Sequence, residues 1–125
     1  MDRGVSEAAA SGKSPSDIVR IGAGGSGGGG GLLGAALQEA ADQGARVLYP
    51  APVTEPMRVV LAHAELHARS AMGLATLPMI CQGQVVGALL AEKRGEAVFT
   101  PHQLSLLEAT AGALAPVLRS EERRV

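Results

Sequence analysis

Aromatic residues are nearly absent from this chain of 125 residues and make up only 2% of it. Tyr49 and Phe99 are the two that occur, so the core that a hydrophobic content of 46% allows must consist mainly of Ala, Val and Leu. Pockets that grip a flat purine, bilin or haem usually stack it against aromatic side chains. The composition therefore favours a small or aliphatic ligand over a stacked purine.

Charge, cysteine and long apolar stretches are also scarce. A net charge of −1 with scattered basic residues predicts no nucleic-acid partner. The single Cys81 excludes an internal disulfide and is typical of a reducing compartment. The start of the chain has no apolar core of signal-peptide length, and no window has the apolar length of a membrane span. We therefore expect one cytoplasmic domain, either on its own or as the soluble end of a longer membrane protein.

Residues 1–31 are rich in Gly, Ser and Ala, which predicts a flexible leader with at most one short strand at 17–21. Within it Gly22, Gly24 and Gly27 fit G-x-G-x-x-G, the pattern that cradles a dinucleotide pyrophosphate. However, the glycines continue to Gly31 and would unwind the helix N-terminus that must bind the phosphate. The sequence therefore favours a linker or hairpin tip, requires no cofactor, and leaves a dinucleotide-binding enzyme fragment as the weaker alternative.

The rest of the chain alternates helical and strand patterns. Apolar residues at helical spacing predict a helix from Leu32 to the stop at Gly44, followed by a short strand from Arg46 to Tyr49. A second helix is predicted from near Met57 to Gly73. Its predicted apolar face consists of Met57, Val60, Leu61, Ala64 and Ala68.

The C-terminal half carries the clearest local signals. Two apolar runs, 77–81 and 84–91, meet at Gln82-Gly83 and predict a β-hairpin whose second strand lies in the middle of a sheet. Thr100, Pro101 and Gln103 predict the start of a helix with a capping box. The helix has a narrow apolar seam, which would pack on a sheet or on a second copy of itself. The seam consists of Leu104, Leu107, Ala111, Leu114 and Leu118.

The segment HAELH, residues 63–67, places two histidines on one helix face, as in a metal site. Glu65 stands two residues after His63 and points to the other side of the helix, so it cannot act as a base on metal-bound water. We expect His63 and His67 to be partly exposed or hydrogen-bonded, with no metal bound.

Cys81 is expected to be a small buried hydrophobe. No residue pattern supports catalysis, so the sequence predicts a protein that is not an enzyme.

The segment LPMICQGQVVGALLAEKRGEAVFTPHQLSLLEATAGALAPVL resembles the C-terminal half of a GAF domain. The preceding LGAALQEAADQGARVLYP and RVVLAHAELHARS are similar to GAF domains of bacterial membrane-fusion proteins, the periplasmic adaptors of the HlyD type, which serve efflux and secretion. The resemblance covers Leu32 to Leu118. It implies an α+β fold of the GAF/PAS kind, with an antiparallel sheet flanked by helices over 32–119 and a charged helical tail at 120–125. The N-terminal strands of the family are expected to be shortened or missing.

The resemblance implies a sensory or regulatory module for a small molecule or a partner protein, with a membrane-protein partner if the adaptor likeness holds. A ligand is expected between the sheet and residues 45–72, near Tyr49, Arg58, His63, Met79 and Cys81. The seam of the last helix is expected to form a homodimer. The alternative is a purely structural dimerisation domain that binds no ligand.

Overall fold

Helices and strands alternate along the residues that the computed structural model describes, which are 18–25, 31–94 and 99–123. The strands are β1 (Ile18–Gly25), β2 (Val47–Tyr49), β3 (Met72–Cys81) and β4 (Gln84–Arg94). The helices are α1 (Gly31–Gln43), α2 (Leu61–Ser70) and α3 (Pro101–Arg123). None of the helices in these ranges has the length and apolar character that crossing a bilayer requires.

The strands form one antiparallel sheet in the order β1-β4-β3-β2. β3 and β4 are joined by the predicted turn, where Gln82 and Gly83 both have positive φ, as a type I′ hairpin turn requires. β4 lies in the interior of the sheet, as its run of apolar residues predicts, and is buried on both faces from Val86 to Lys93. The expected α+β fold with an antiparallel sheet flanked by helices is confirmed.

The helices cover opposite faces of the sheet. α3 packs on one face, where Ala75, Leu77 and Met79 of β3 meet Leu107 and Ala111. α1 and α2 pack on the other face, on which β3 presents Thr76 to α2. All five residues of the predicted seam lie in the α3 contact with the sheet of the same chain, so packing on a sheet is the alternative that the fold realises. They are Leu104, Leu107, Ala111, Leu114 and Leu118.

The predicted strand at 17–21 is too short, because β1 continues through Gly25. Gly22 and Gly24 pair with Leu90 and Ala88 of β4, so they lie in a β-ladder and not in a phosphate-binding loop. Close packing favours glycine at one of these positions, Gly24, whereas a Cβ at Gly22 would meet no atom within 4 Å. A Cβ at Gly24 would lie 3.3 Å from Leu37 of α1. Residues 26–30, which include Gly27, lie outside the described residues.

The predicted bounds of the second helix are also wrong. α2 begins at Leu61, after the proline-containing segment, and it ends at Ser70. Ala71 caps it in the left-handed conformation, with a φ of 59°. The predicted apolar face is exposed at Met57 and Leu61, with 95% and 79% of their surface accessible. The buried residue of α2 is His63. At its N-terminus, backbone N–H groups of α2 donate to Glu39 of α1, a contact that helical periodicity cannot indicate.

The predicted start of α3 is confirmed in detail. The Thr100 backbone N–H donates to Gln103 Oε1 at 2.9 Å, and the Gln103 backbone N–H donates to Thr100 Oγ1 at 3.1 Å. This reciprocal pair is the capping box that the spacing predicts.

Candidate functional site

The residues predicted to surround a ligand lie in three different places. Tyr49 and Arg58 line one pocket beside β2. His63 is fully buried between α2 and the sheet. Met79 and Cys81 lie on the opposite face of the sheet, among the residues that pack under α3. The structure therefore brings together Tyr49 and Arg58, and separates the other three from them.

The pocket lies between β2 and the segment 50–60, which we call the cover segment. Pro50, Pro52 and Pro56 keep this segment out of regular structure, and a turn forms where the Glu55 N–H donates to the Pro52 carbonyl at 3.0 Å. The cavity has a volume of about 320 Å³. Its walls are mostly apolar, with one aromatic residue and two charged ones. The lining residues are Leu48, Tyr49, Ala51, Glu55, Pro56, Met57, Arg58 and Val60.

Arg46, just before β2, ties the cover segment to α3. Its Nη2 lies 2.8 Å from Glu55 Oε2, its Nε lies 3.4 Å from Glu55 Oε1, and its Nη1 lies 2.9 Å from Glu108 Oε2. The hydrogen bond from Arg46 lowers the pKa of the mostly buried Glu55, which therefore stays ionised. Both carboxylate oxygens of Glu55 are thus occupied by Arg46.

Arg58 is held by its Nε, which donates to the Arg46 backbone carbonyl at 3.2 Å. Among the described residues, its two Nη groups have no hydrogen bond and no carboxylate within ion-pair distance. The Tyr49 ring packs edge-on against His67, with ring centroids 5.4 Å apart. Its hydroxyl makes no hydrogen bond within the described part of the chain. The pocket therefore contains a cation and a phenol that are available to a ligand.

His63 belongs to a buried network with Glu39 and Thr76. His63 Nδ1 lies 2.7 Å from Glu39 Oε1, and Nε2 lies 2.8 Å from Thr76 Oγ1. A carboxylate only accepts, so the neutral ring carries its proton on Nδ1 and accepts the Thr76 hydroxyl on Nε2. Burial lowers the pKa of His63, although Glu39 opposes this effect. Both ring nitrogens are used, so this histidine supports the fold beneath α2.

His67 does not join His63 in a shared site. Its Nδ1 lies 2.6 Å from the Met72 carbonyl, and its ring packs on Tyr49. Glu65 is exposed and pairs with Arg69 at 3.0 Å. The HAELH segment thus distributes its polar residues among separate structural contacts.

Two residues of the pocket region, Arg46 and Glu55, were not predicted from the sequence. No motif marks them, because they stand nine positions apart on either side of β2 and meet only when the cover segment folds back. The three prolines were the one available signal, since they indicate an irregular segment directly after a strand.

The family model for the GAF domain matches residues 8–118, a range that includes β1 and the glycine tract. The four-stranded antiparallel sheet with helices on both faces agrees with that fold. No curated protein and no solved structure gives a significant match to the chain.

Proposed function

Since the chain belongs to the GAF domain family, we propose that it is a non-catalytic sensory module that binds a small molecule in the pocket beside β2. GAF domains are generally non-catalytic modules with a sensory or regulatory role. The observation that carries the proposal is a cavity of about 320 Å³, lined by Arg58 and Tyr49, whose Nη groups and hydroxyl make no hydrogen bond to any described residue. Apolar walls with a few polar groups are typical of small-molecule sites.

The ion pairs of Arg46 connect the pocket to α3, so a change in the pocket can affect the position of that helix. Glu55 lines the pocket, and Arg46 joins it to Glu108 on α3. A ligand that reorders the cover segment would move Glu55 and thereby change the Arg46–Glu108 ion pair. The Arg46–Glu108 ion pair is partly exposed, so it contributes at most about 1 kcal/mol to the stability of the fold. Its loss is therefore expected to shift the position of α3 and not to unfold the helix.

The proposal includes a cytoplasmic location and an association with an efflux or secretion adaptor. The single Cys81 supports a reducing compartment. The adaptor partner is supported by the sequence resemblance described above. Co-purification of the chain with a membrane-fusion protein from its own cells tests this part, and a chain recovered without such a partner contradicts it.

A homodimer without a ligand is the second candidate function. The seam residues pack within the chain, but α3 also carries the half-exposed Leu106 and Val117 outside that contact. A dimer formed through α3 would bury these two side chains. Light scattering on the purified chain tests the dimer: a mass of two chains supports it and a mass of one chain contradicts it.

Thermal unfolding in the presence of a panel of small acids, amines, amides and sugars tests ligand binding. A ligand at one hundred times its Kd stabilises the folded chain by about 2.7 kcal/mol, which raises Tm by several degrees. Ala51→Phe places a large side chain at the pocket wall and should remove the shift. Ala109→Phe, on the exposed face of α3, is the matched control and should retain it. A panel in which no compound raises Tm contradicts the proposal.

A further inference from the structure

We propose that the pocket beside β2 selects a small carboxylate with an aliphatic body, whose charged group binds the Arg58 guanidinium and the Tyr49 hydroxyl. The inference rests on the proposed function, since it names the ligand class for the same pocket. Three features support it: the hydrogen bonding of Arg58, the pairing of Glu55 with Arg46, and the apolar side chains that line the rest of the pocket.

Arg58 can donate to a ligand from the edge of its guanidinium that carries the two Nη groups. Its Nε already donates to the Arg46 carbonyl at 3.2 Å, so the side-on approach that uses Nε and one Nη is taken. The two Nη groups remain, and they can donate in parallel to the two oxygens of one carboxylate. Among the described residues no carboxylate already lies within ion-pair distance of them. A planar anion matches this geometry.

Glu55 is the other charged residue of the pocket, and its pairing argues against a cationic ligand. Arg46 contacts both of its oxygens, at 2.8 and 3.4 Å. A ligand amine would have to compete with this guanidinium for the carboxylate. Arg46 is shared between Glu55 and Glu108 but occupies both oxygens of Glu55. Besides the hydrogen bonds from Arg46, the charge of the nearby Arg58 lowers the pKa of Glu55. Arg58 is therefore the charged residue of the pocket whose Nη groups have no direct carboxylate partner in the described part of the chain.

The apolar walls set the size and character of the rest of the ligand. Leu48, Ala51, Pro56, Met57 and Val60 supply aliphatic surface, and Tyr49 is the one aromatic residue of the lining. A volume of about 320 Å³ corresponds to roughly ten water molecules at about 30 Å³ each, so the cavity holds on the order of ten non-hydrogen atoms. A branched or cyclic aliphatic acid has the size that fills this space.

The experiment uses three probes of nearly equal size and shape: cyclohexanecarboxylate, its neutral amide and its cationic amidine. Binding to the full chain is measured by calorimetric titration at constant ionic strength, with sodium chloride replacing the sodium salt in the reference. The carboxylate should bind at least about tenfold more tightly than the amide, as expected for a charge-assisted contact, and more tightly than the amidine.

Two variants locate the contact. Arg58→Met keeps the apolar stem and should weaken carboxylate binding by about tenfold or more, with little change for the amide. Tyr49→Phe removes the hydroxyl and should weaken carboxylate binding by a few fold. Arg69→Met, which removes an equal charge from the exposed surface of α2, is the matched control and should bind the carboxylate like the unmodified chain.

The outcomes separate this inference from the proposed function. Equal or tighter binding of the amide or the amidine overturns the carboxylate class, as does unchanged carboxylate binding by Arg58→Met. In either case a Tm shift with other panel compounds, removed by Ala51→Phe, leaves the pocket function standing. If no compound of the panel binds and the carboxylate fails as well, both are overturned.

Discussion

Replacing Glu39 with alanine should destabilise the domain strongly, although Glu39 lies on α1 and away from the pocket. Its carboxylate accepts the Ala62 N–H at 2.9 Å, the His63 N–H at 3.1 Å and the His63 ring at 2.7 Å. It therefore caps α2, whose own residue at that position, Val60, provides no side-chain cap. One side chain thus supports both the start of a helix and a buried ring.

The magnitude follows from these contacts. Loss of a helix cap costs about 1 kcal/mol. The His63 Nδ1–H, which is fully buried in the unmodified chain, loses its acceptor at a cost of about 1–3 kcal/mol. We expect Glu39→Ala to lower the free energy of unfolding by about 2–4 kcal/mol, out of the roughly 5–15 kcal/mol typical of a domain.

Urea denaturation followed by circular dichroism measures this difference. Asp42→Ala is the matched control, since it removes an exposed acid of the same helix and should cost less than about 0.5 kcal/mol. Glu39→Gln keeps an acceptor but loses the charge, so its loss of unfolding free energy should lie between those of Glu39→Ala and Asp42→Ala. A Glu39→Ala chain within about 0.5 kcal/mol of the unmodified one refutes the role assigned to this carboxylate.

The free energy of unfolding should fall as the pH drops from about 7.5 to 5.5, because burial lowers the pKa of His63 in the folded chain. In the unfolded chain His63 has its ordinary pKa near 6.5. Below that pH the unfolded chain therefore binds a proton that the folded chain does not. Urea denaturation across this range should show a weaker slope in His63→Gln; an equal slope contradicts the prediction. Gly87→Ala should cost about 1–3 kcal/mol, because its Cβ would collide with the Gly24 carbonyl oxygen in β1. Gly112→Ala on α3 meets no atom within 4 Å and should stabilise by up to about 1 kcal/mol. Thermal unfolding compares the two glycine variants, and equal effects would contradict the packing argument.

The sequence predicted those elements whose signals are local. The hairpin at Gln82-Gly83 and the capping box at Thr100 and Gln103 depend on a few adjacent residues, and both are confirmed. The bounds of α2 were mispredicted because small apolar residues fit a helical period on almost any face. Its first turn is capped by Glu39, and a contact between residues 24 positions apart leaves no local pattern.

The pocket was predicted only in part, for a similar reason. Tyr49 stands at the end of a recognisable strand, and Arg58 follows three prolines, so both could be assigned to the region beside the sheet. Met79 and Cys81 alternate with Thr76 along β3 and face α3 instead, which follows once the register of the strand is known. The pairing of Glu55 with Arg46 depends on the path of the cover segment and is invisible in the sequence.

The central claim is that a small molecule binds beside β2 under the cover segment. Backbone amide NMR spectra, recorded with and without the panel compound that raises Tm most, test it directly. We predict that the largest chemical-shift changes fall within residues 48–60 and include Tyr49 and Arg58. Changes confined to the residues of α1 and α2 or to the outer face of α3, with 48–60 unaffected, would contradict the claim.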